Sequence, residues 1–249
     1  STCFKLLGPA LVGIGFIALT SEAGRPLRGI NLFRHLRRSW MSRETLGFAL
    51  FVFFAGLDWL FPNIALKSLA AISALFLMFC QGMIPYAARG VTAWNSKLMP
   101  LVFMTSGFAS GVGLLLPVAG FYGALDLRLI WIALGSVGAN LVMWLVYIRT
   151  GDEPMQSATS ALREIDSLAF TVGAGVVLPL LLFILVFLLP NNPSANAVAA
   201  GFAGLGMLVG NSAMKFGIVL KAGYLRAITL KVTKKVAYSQ AATAAMLQH

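Results

Sequence analysis

Charge is what this sequence has least of: Asp, Glu, Lys and Arg make up 11% of its 249 residues, against about a quarter in soluble domains. Acidic residues number 8, histidines 2 and cysteines 2. His35 and His249 stand beside no candidate nucleophile or metal ligand, which removes histidine-based hydrolysis and a haem held by paired intramembrane histidines. Cys3 and Cys80 lie far apart inside apolar stretches, so no disulfide framework, redox pair or iron–sulfur ligand set can be built from them. A Gly-rich phosphate loop with its lysine is missing too. Any redox centre therefore belongs to a partner or to a diffusible ligand, with no haem or metal in this chain.

What the sequence has in abundance is apolar surface: 59% of residues are hydrophobic and the mean hydropathy is +0.85. A helix rises about 1.5 Å per residue, so roughly 20 apolar residues cross a hydrocarbon core about 30 Å thick. Apolar stretches at 4–21, 45–61, 64–85, 98–120, 128–149, 167–189 and 196–220 meet that requirement. Backbone polar groups in lipid must be satisfied within the segment, which makes these helices, and the alternation of a β-barrel is missing. The expectation is an all-α integral membrane protein of about seven transmembrane helices, a single domain over 1–249 with a basic interfacial loop at 21–43 and a basic C-terminal tail at 221–249.

The net charge of +11 does not indicate nucleic acid, because the basic residues sit in loops between apolar runs. Connections after the second, fourth and sixth spans are short and nearly uncharged, whereas those after the first, third, fifth and seventh carry charge. Sixteen of the nineteen Lys and Arg residues fall on the side reached after the first span, leaving Lys5, Lys67 and Arg128 on the other. The positive-inside rule assigns the Arg-rich loops to the cytoplasm. A multi-pass protein of a bacterial or archaeal inner membrane follows. The chain begins Ser-Thr-Cys already close to its first span, and no signal-peptide pattern precedes that span.

Small residues four apart, Gly107 with Gly111 and Gly206 with Gly210, suit close helix approach. Pro179 in the sixth span should bend it and free a carbonyl. Ionisable groups inside a membrane are functional candidates by default. Asp58 reads either as an interfacial carboxylate at a helix end or as a proton-pathway group. Gln81, Asn140 and Asn211 read as interhelical hydrogen-bonders, and Lys215 as a snorkelling lysine.

The most informative segment runs from Ser21 to Glu44. A carboxylate, Glu22, ends the first span, and Gly24-Arg25-Pro26 reverses the chain. Leu27, Ile30, Phe33 and Leu36 then recur at helical spacing among Arg28, Arg34, Arg37 and Arg38. Ser39 or Ser42 can cap the next helix, with Glu44 in its first turn. On these residues alone, an interfacial helix answering anionic headgroups is a sufficient account.

The order and spacing of Gly13-Ile14-Gly15-Phe16-Ile17-Ala18, Gly24-Arg25-Pro26-Leu27-Arg28-Gly29-Ile30-Asn31 and Ser39-Trp40-Met41-Ser42-Arg43-Glu44 resemble the membrane-anchor subunits of molybdopterin oxidoreductases, dimethyl-sulfoxide-reductase type, with polysulfide-reductase anchors more distant. The motif resemblance covers about the first fifty residues; the remainder agrees in helix number and loop pattern. It implies an eight-helix family form whose first helix is absent from this sequence. It also implies a site for quinone, menaquinone or ubiquinone, facing a ferredoxin-like iron–sulfur subunit that relays electrons to a large molybdopterin catalytic subunit carrying molybdenum or tungsten in an anaerobic electron transport chain.

Family members often carry His where this sequence has Glu22, so the identity of the proton carrier departs from the pattern. On this reading Glu22 exchanges protons, while Gly24, Arg25, Pro26, Arg28, Ser42, Arg43 and Glu44 form or support the pocket. Arg34, Arg37 and Arg38 face the partner or lipid. If the partner docks on the Arg-rich side, the catalytic subunits are cytoplasmic. The rival readings are a secondary transporter, for which no internal repeat is found, and a structural anchor without a quinone site.

Overall fold

The computed structural model describes residues 2–22, 36–189 and 192–222; the side chains of residues 2–5, 19, 20 and 22 are outside that description. Among the described residues there is no strand, and each of the seven expected apolar stretches is a helix. They are α1 (Thr2–Glu22), α2 (Trp40–Leu60), α3 (Ile64–Ala87), α4 (Met99–Phe121) and α5 (Leu127–Arg149), a short α6 (Glu153–Ala158), then α7 (Ile165–Leu188) and α8 (Pro193–Lys221). Helices α3, α4, α5, α7 and α8 are long and apolar enough to cross a membrane. In α2 the same length of chain carries Arg43, Glu44 and Asp58, which lower its hydropathy. Large apolar side chains point outward all round, among them Ile17, Ile72, Leu181 and Phe202, each about 60–70% exposed. Only lipid accepts such a surface, and the chain is a multi-pass membrane protein.

The bundle is organised around α8, of whose spanning window half is buried, against 22% for α3. Helix α8 packs extensively on both α4 and α7; α2 pairs with α3, and α1 rests on α2. The α4–α8 crossing is backbone to backbone: a Cβ on Gly204 would collide with the Gly113 carbonyl, and one on Gly113 would lie 2.8 Å from the Gly204 carbonyl. Gly206 and Gly210 do serve the expected close approach, against Ala174 and Gly175 of α7. Gly107 meets only the flexible end of Met78, and Gly111 faces open space, so the α4 seam runs through Gly113 instead.

Around Pro179 the helix departs from α geometry in a way the sequence did not show. The nine residues Ala169–Val177 ahead of it form a π-helix, in which the Leu178 N–H donates to the Gly173 carbonyl five residues back. Proline lacks an N–H and crowds the carbonyl four residues upstream, and widening the turn relieves both problems.

On the basic side the connections fold back over the bundle. Tyr147 Oη donates to the Ala93 carbonyl at 2.7 Å, Trp94 Nε1 to the Ile218 carbonyl at 2.9 Å, and Arg163 Nη2 to the Ile148 carbonyl. Met99, Trp144, Leu162 and Met214 fill the layer beneath them. On the opposite side the connections are short turns. At one of them the buried Asp58 carboxylate accepts the Asn63 N–H at 3.1 Å, which ties the α2–α3 corner.

Candidate functional site

The start of α2 gathers the sequence's candidates. Ser39, extended at φ −117° and ψ 125°, is the N-cap, and its Oγ accepts the Ser42 N–H at 3.4 Å. That leaves Ser42 free of capping. Its side chain is fully buried and its Oγ has no hydrogen-bond partner among the described residues, a deficit seldom left in a protein interior.

Arg43 turns back along the chain. Its Nε donates to the Leu36 carbonyl and its Nη2 to the Arg37 carbonyl, both at 2.9 Å. Its guanidinium also lies 4.1 Å from the centroid of the Trp40 ring. Trp40 in turn meets Phe79 of α3 edge to face at 6.0 Å. Arg43 therefore clamps residues 36 and 37 onto the helix start. Arg37 and Arg38 are exposed on that turn.

One residue further, Glu44 is 8% exposed and its carboxylate accepts a hydrogen bond from the Gln81 side chain of α3. Gln81 thus links two helices, as the sequence suggested. The approach depends on Gly47, one turn along: a Cβ there would meet the Leu77 backbone at 3.3 Å and the Phe76 ring at 3.1 Å. Cys80, fully buried, lies within electrostatic range of both Glu44 and Arg43. A carboxylate kept from water by packing, with one neutral donor and an unpartnered hydroxyl two residues away, is costly to retain for stability alone.

Glu22 is the last residue of α1. Phe16 stacks on Phe48 with centroids 3.9 Å apart. Counting about 1.5 Å per residue from that contact, Glu22 lies roughly 9 Å along α1 and Glu44 roughly 6 Å along the antiparallel α2. The two acidic positions are therefore at one level on one side of the bundle. The Glu22 side chain, and Gly24, Arg25, Pro26, Arg28 and Arg34 with the Leu27–Ile30–Phe33 stripe and the tail beyond Ala222, lie outside the described residues.

A second polar group lies inside the bundle. Asn140 Nδ2 of α5 donates to Asn211 Oδ1 of α8 at 2.7 Å, Asn211 Nδ2 donates to the Met207 carbonyl at 2.8 Å, and Thr105 Oγ1 of α4 is 3.3 Å from Asn140 Oδ1. These amides satisfy one another. Lys215, one turn along α8, is half-buried with its ammonium 6.0 Å from the Phe103 ring centroid. Among the described residues no three His, Cys, Asp or Glu side chains come together as a metal site. Sequence reasoning missed the Glu44–Gln81 pairing and the orphaned Ser42 Oγ. Only the proximity of Gly47 to Glu44 on one helix face could have signalled the first.

The profile of a family described as "DMSO reductase anchor subunit (DmsC)" matches residues 2–212. Two curated proteins are similar over shorter stretches. An anaerobic dimethyl sulfoxide reductase chain from Haemophilus influenzae is 27% identical over 121 residues, 43% of this chain and 43% of that protein. The anaerobic dimethyl sulfoxide reductase chain YnfH of Escherichia coli is 29% identical over 110 residues, 41% of this chain and 38% of that protein. The match spans less than half the length of either relative. No solved structure matches the chain.

Proposed function

This chain belongs to the DMSO reductase anchor subunit (DmsC) family, and from that membership we propose that it binds quinone or quinol at the start of α2 and passes electrons to and from an iron–sulfur subunit. That subunit would serve a large catalytic subunit holding molybdenum or tungsten. The observation that carries the reading is Glu44: a buried carboxylate at the membrane boundary, hydrogen-bonded by Gln81 and level with Glu22 at the end of α1.

The residues present suit a quinone. The unpartnered Ser42 hydroxyl can donate to a carbonyl oxygen, and the Arg43 donors not engaged by Leu36 and Arg37 can favour charge developing there. Glu44 and Glu22 can hold and release the accompanying protons. A bound quinone supplies the coupled electron and proton transfer; this chain supplies position, exclusion of water by the α2–α3 contact, and proton exchange at the carboxylates. Gly24, Arg25, Pro26 and Arg28 complete the pocket on this reading, and Arg34, Arg37 and Arg38 meet the partner or lipid headgroups. With seven spans, the charge rule favours the cytoplasmic side for these groups, and the reading puts the catalytic subunits there as well.

Glu44→Gln and Glu22→Gln, each assayed in the assembled complex, test the reading. Quinol-linked turnover should fall by about 10²–10⁴ while the partner subunits still co-purify. Full turnover in both variants would leave a structural anchor as the better account. Labelling of Arg38→Cys in sealed right-side-out vesicles, in a chain also carrying Cys3→Ser and Cys80→Ser, tests the orientation. Protection from an impermeant reagent is expected, and labelling would reverse the assignment.

A further inference from the structure

A cavity of about 520 Å³ opens on the basic side between the α3–α4 and α5–α6 connections, and no residue of α1 or α2 lines it. Its size is within the range of about 300–1,000 Å³ typical of small-molecule sites. Thr92, Ser96 and Lys97 line it from one connection, Thr150 and Asp152 from the other. Both charges are exposed, and neither forms an ion pair among the described residues. Asp152 occupies the N-cap of α6 yet its side chain accepts no capping hydrogen bond. It is delivered there by Gly151, whose φ of 122° suits only glycine and whose carbonyl accepts from Gln156 Nε2 at 3.3 Å.

The floor of the cavity leads into the bilayer. Val146 lines it and is 40% exposed; Val142, one turn further along α5, is 58% exposed, and Leu101 on the facing α4 is 48% exposed. A mouth bearing one cation, one carboxylate and several hydroxyls thus stands above exposed apolar side chains of α4 and α5. A polar segment of a partner protein would have no use for that surface, whereas an amphiphile would.

We propose that this cavity holds the headgroup of a phospholipid bearing a primary amine, that is, phosphatidylethanolamine. Lys97 and the hydroxyls of Ser96 and Thr150 take the phosphate, Asp152 takes the ammonium, and one acyl chain follows Leu101 and Val142. A choline headgroup offers Asp152 no N–H donor, and a glycerol headgroup offers it no positive charge. The inference is independent of the quinone reading, since it uses none of the same residues.

The test is native mass spectrometry of the full chain released from mild detergent, with phosphatidylethanolamine, phosphatidylcholine and phosphatidylglycerol of identical acyl chains, and with phosphoethanolamine alone. Phosphatidylethanolamine should be retained about three- to fivefold above the other two, the effect of one charge pair near a water-exposed surface. Asp152→Asn should remove that preference, Lys97→Gln should weaken all three lipids, and phosphoethanolamine alone should not be retained. Equal retention of the three lipids, a preference surviving Asp152→Asn, or retention of the free headgroup overturns the proposal. A photocrosslinking residue at Asn95, irradiated in native membranes, should give a lipid adduct; a protein adduct would assign the cavity to a partner subunit instead.

Discussion

The two ends of the helix order are built differently. In the bundle of α4, α5, α7 and α8, backbone meets backbone at Gly113–Gly204 and Gly175–Gly210, the buried amides Asn140 and Asn211 are bonded to each other, and the buried polar atoms without a partner among the described residues, Trp144 Nε1 and Thr171 Oγ1, are neutral. At the α1–α3 edge, Gly13 and Gly15 of α1 face open space, α1 is held through contacts such as Phe16 on Phe48, and the buried polar groups include two carboxylates, Glu44 and Asp58, and the Ser42 hydroxyl, unpartnered among the described residues. A polar group fully satisfied by its own helices has no capacity left for a ligand. The contrast is therefore one of charge: a buried carboxylate beside an unpartnered hydroxyl is found at the start of α2.

The largest effect expected from breaking that contrast is at the scaffold. Gly204→Val forces a branched side chain into the Gly113 carbonyl, and with no room to yield it should cost several kcal/mol and abolish a monodisperse peak in size-exclusion chromatography. Gly47→Val, against the Leu77 backbone, should cost about 1–3 kcal/mol. It should part α2 from α3, removing quinol turnover while the remaining bundle still purifies as a folded chain. Asn211→Leu deprives Asn140 of its acceptor and should lower thermal stability by the ~0.6–2 kcal/mol of an interhelical hydrogen bond in a membrane. Arg43→Lys keeps the charge but loses the fork that reaches two carbonyls; about 1 kcal/mol of local stability should go, read as faster amide exchange over residues 36–45. Gly111→Ala, into open space, should change stability by less than about 0.5 kcal/mol. A large loss there would mean that the seam is drawn on the wrong face of α4.

Much of the scaffold was legible from residue order, because lipid permits few alternatives. Apolar length located all seven helices to within a few residues, except that α2 begins at Trp40 rather than 45, since its first turn is polar and capped by Ser39. The glycine pairs were only half legible: spacing of four identifies a seam but not its partner, so Gly206 and Gly210 proved right where Gly111 did not. The π-helix ahead of Pro179 could not be read, because hydropathy is blind to a change from four- to five-residue hydrogen bonding. At the site, Ser42, Arg43 and Glu44 were identified by resemblance, but their division of labour depends on residues distant in sequence. Gln81 on another helix receives Glu44, and carbonyls upstream receive Arg43.

The bond from Trp94 Nε1 to the Ile218 carbonyl joins residues 124 apart, and that separation has a meaning in time. The α3–α4 connection leaves the ribosome long before α8 exists. Tyr147 can reach Ala93 as soon as α5 is in place, across 54 residues, but Trp94 must wait for the last helix of the bundle. Until then an indole N–H and the apolar layer of Met99, Trp144 and Leu162, which Met214 and Ile218 later cover, stand open. Closure of this cap therefore waits on the insertion of α8, and a chain arrested before α8 would display an apolar surface of the kind that quality-control proteases and chaperones recognise.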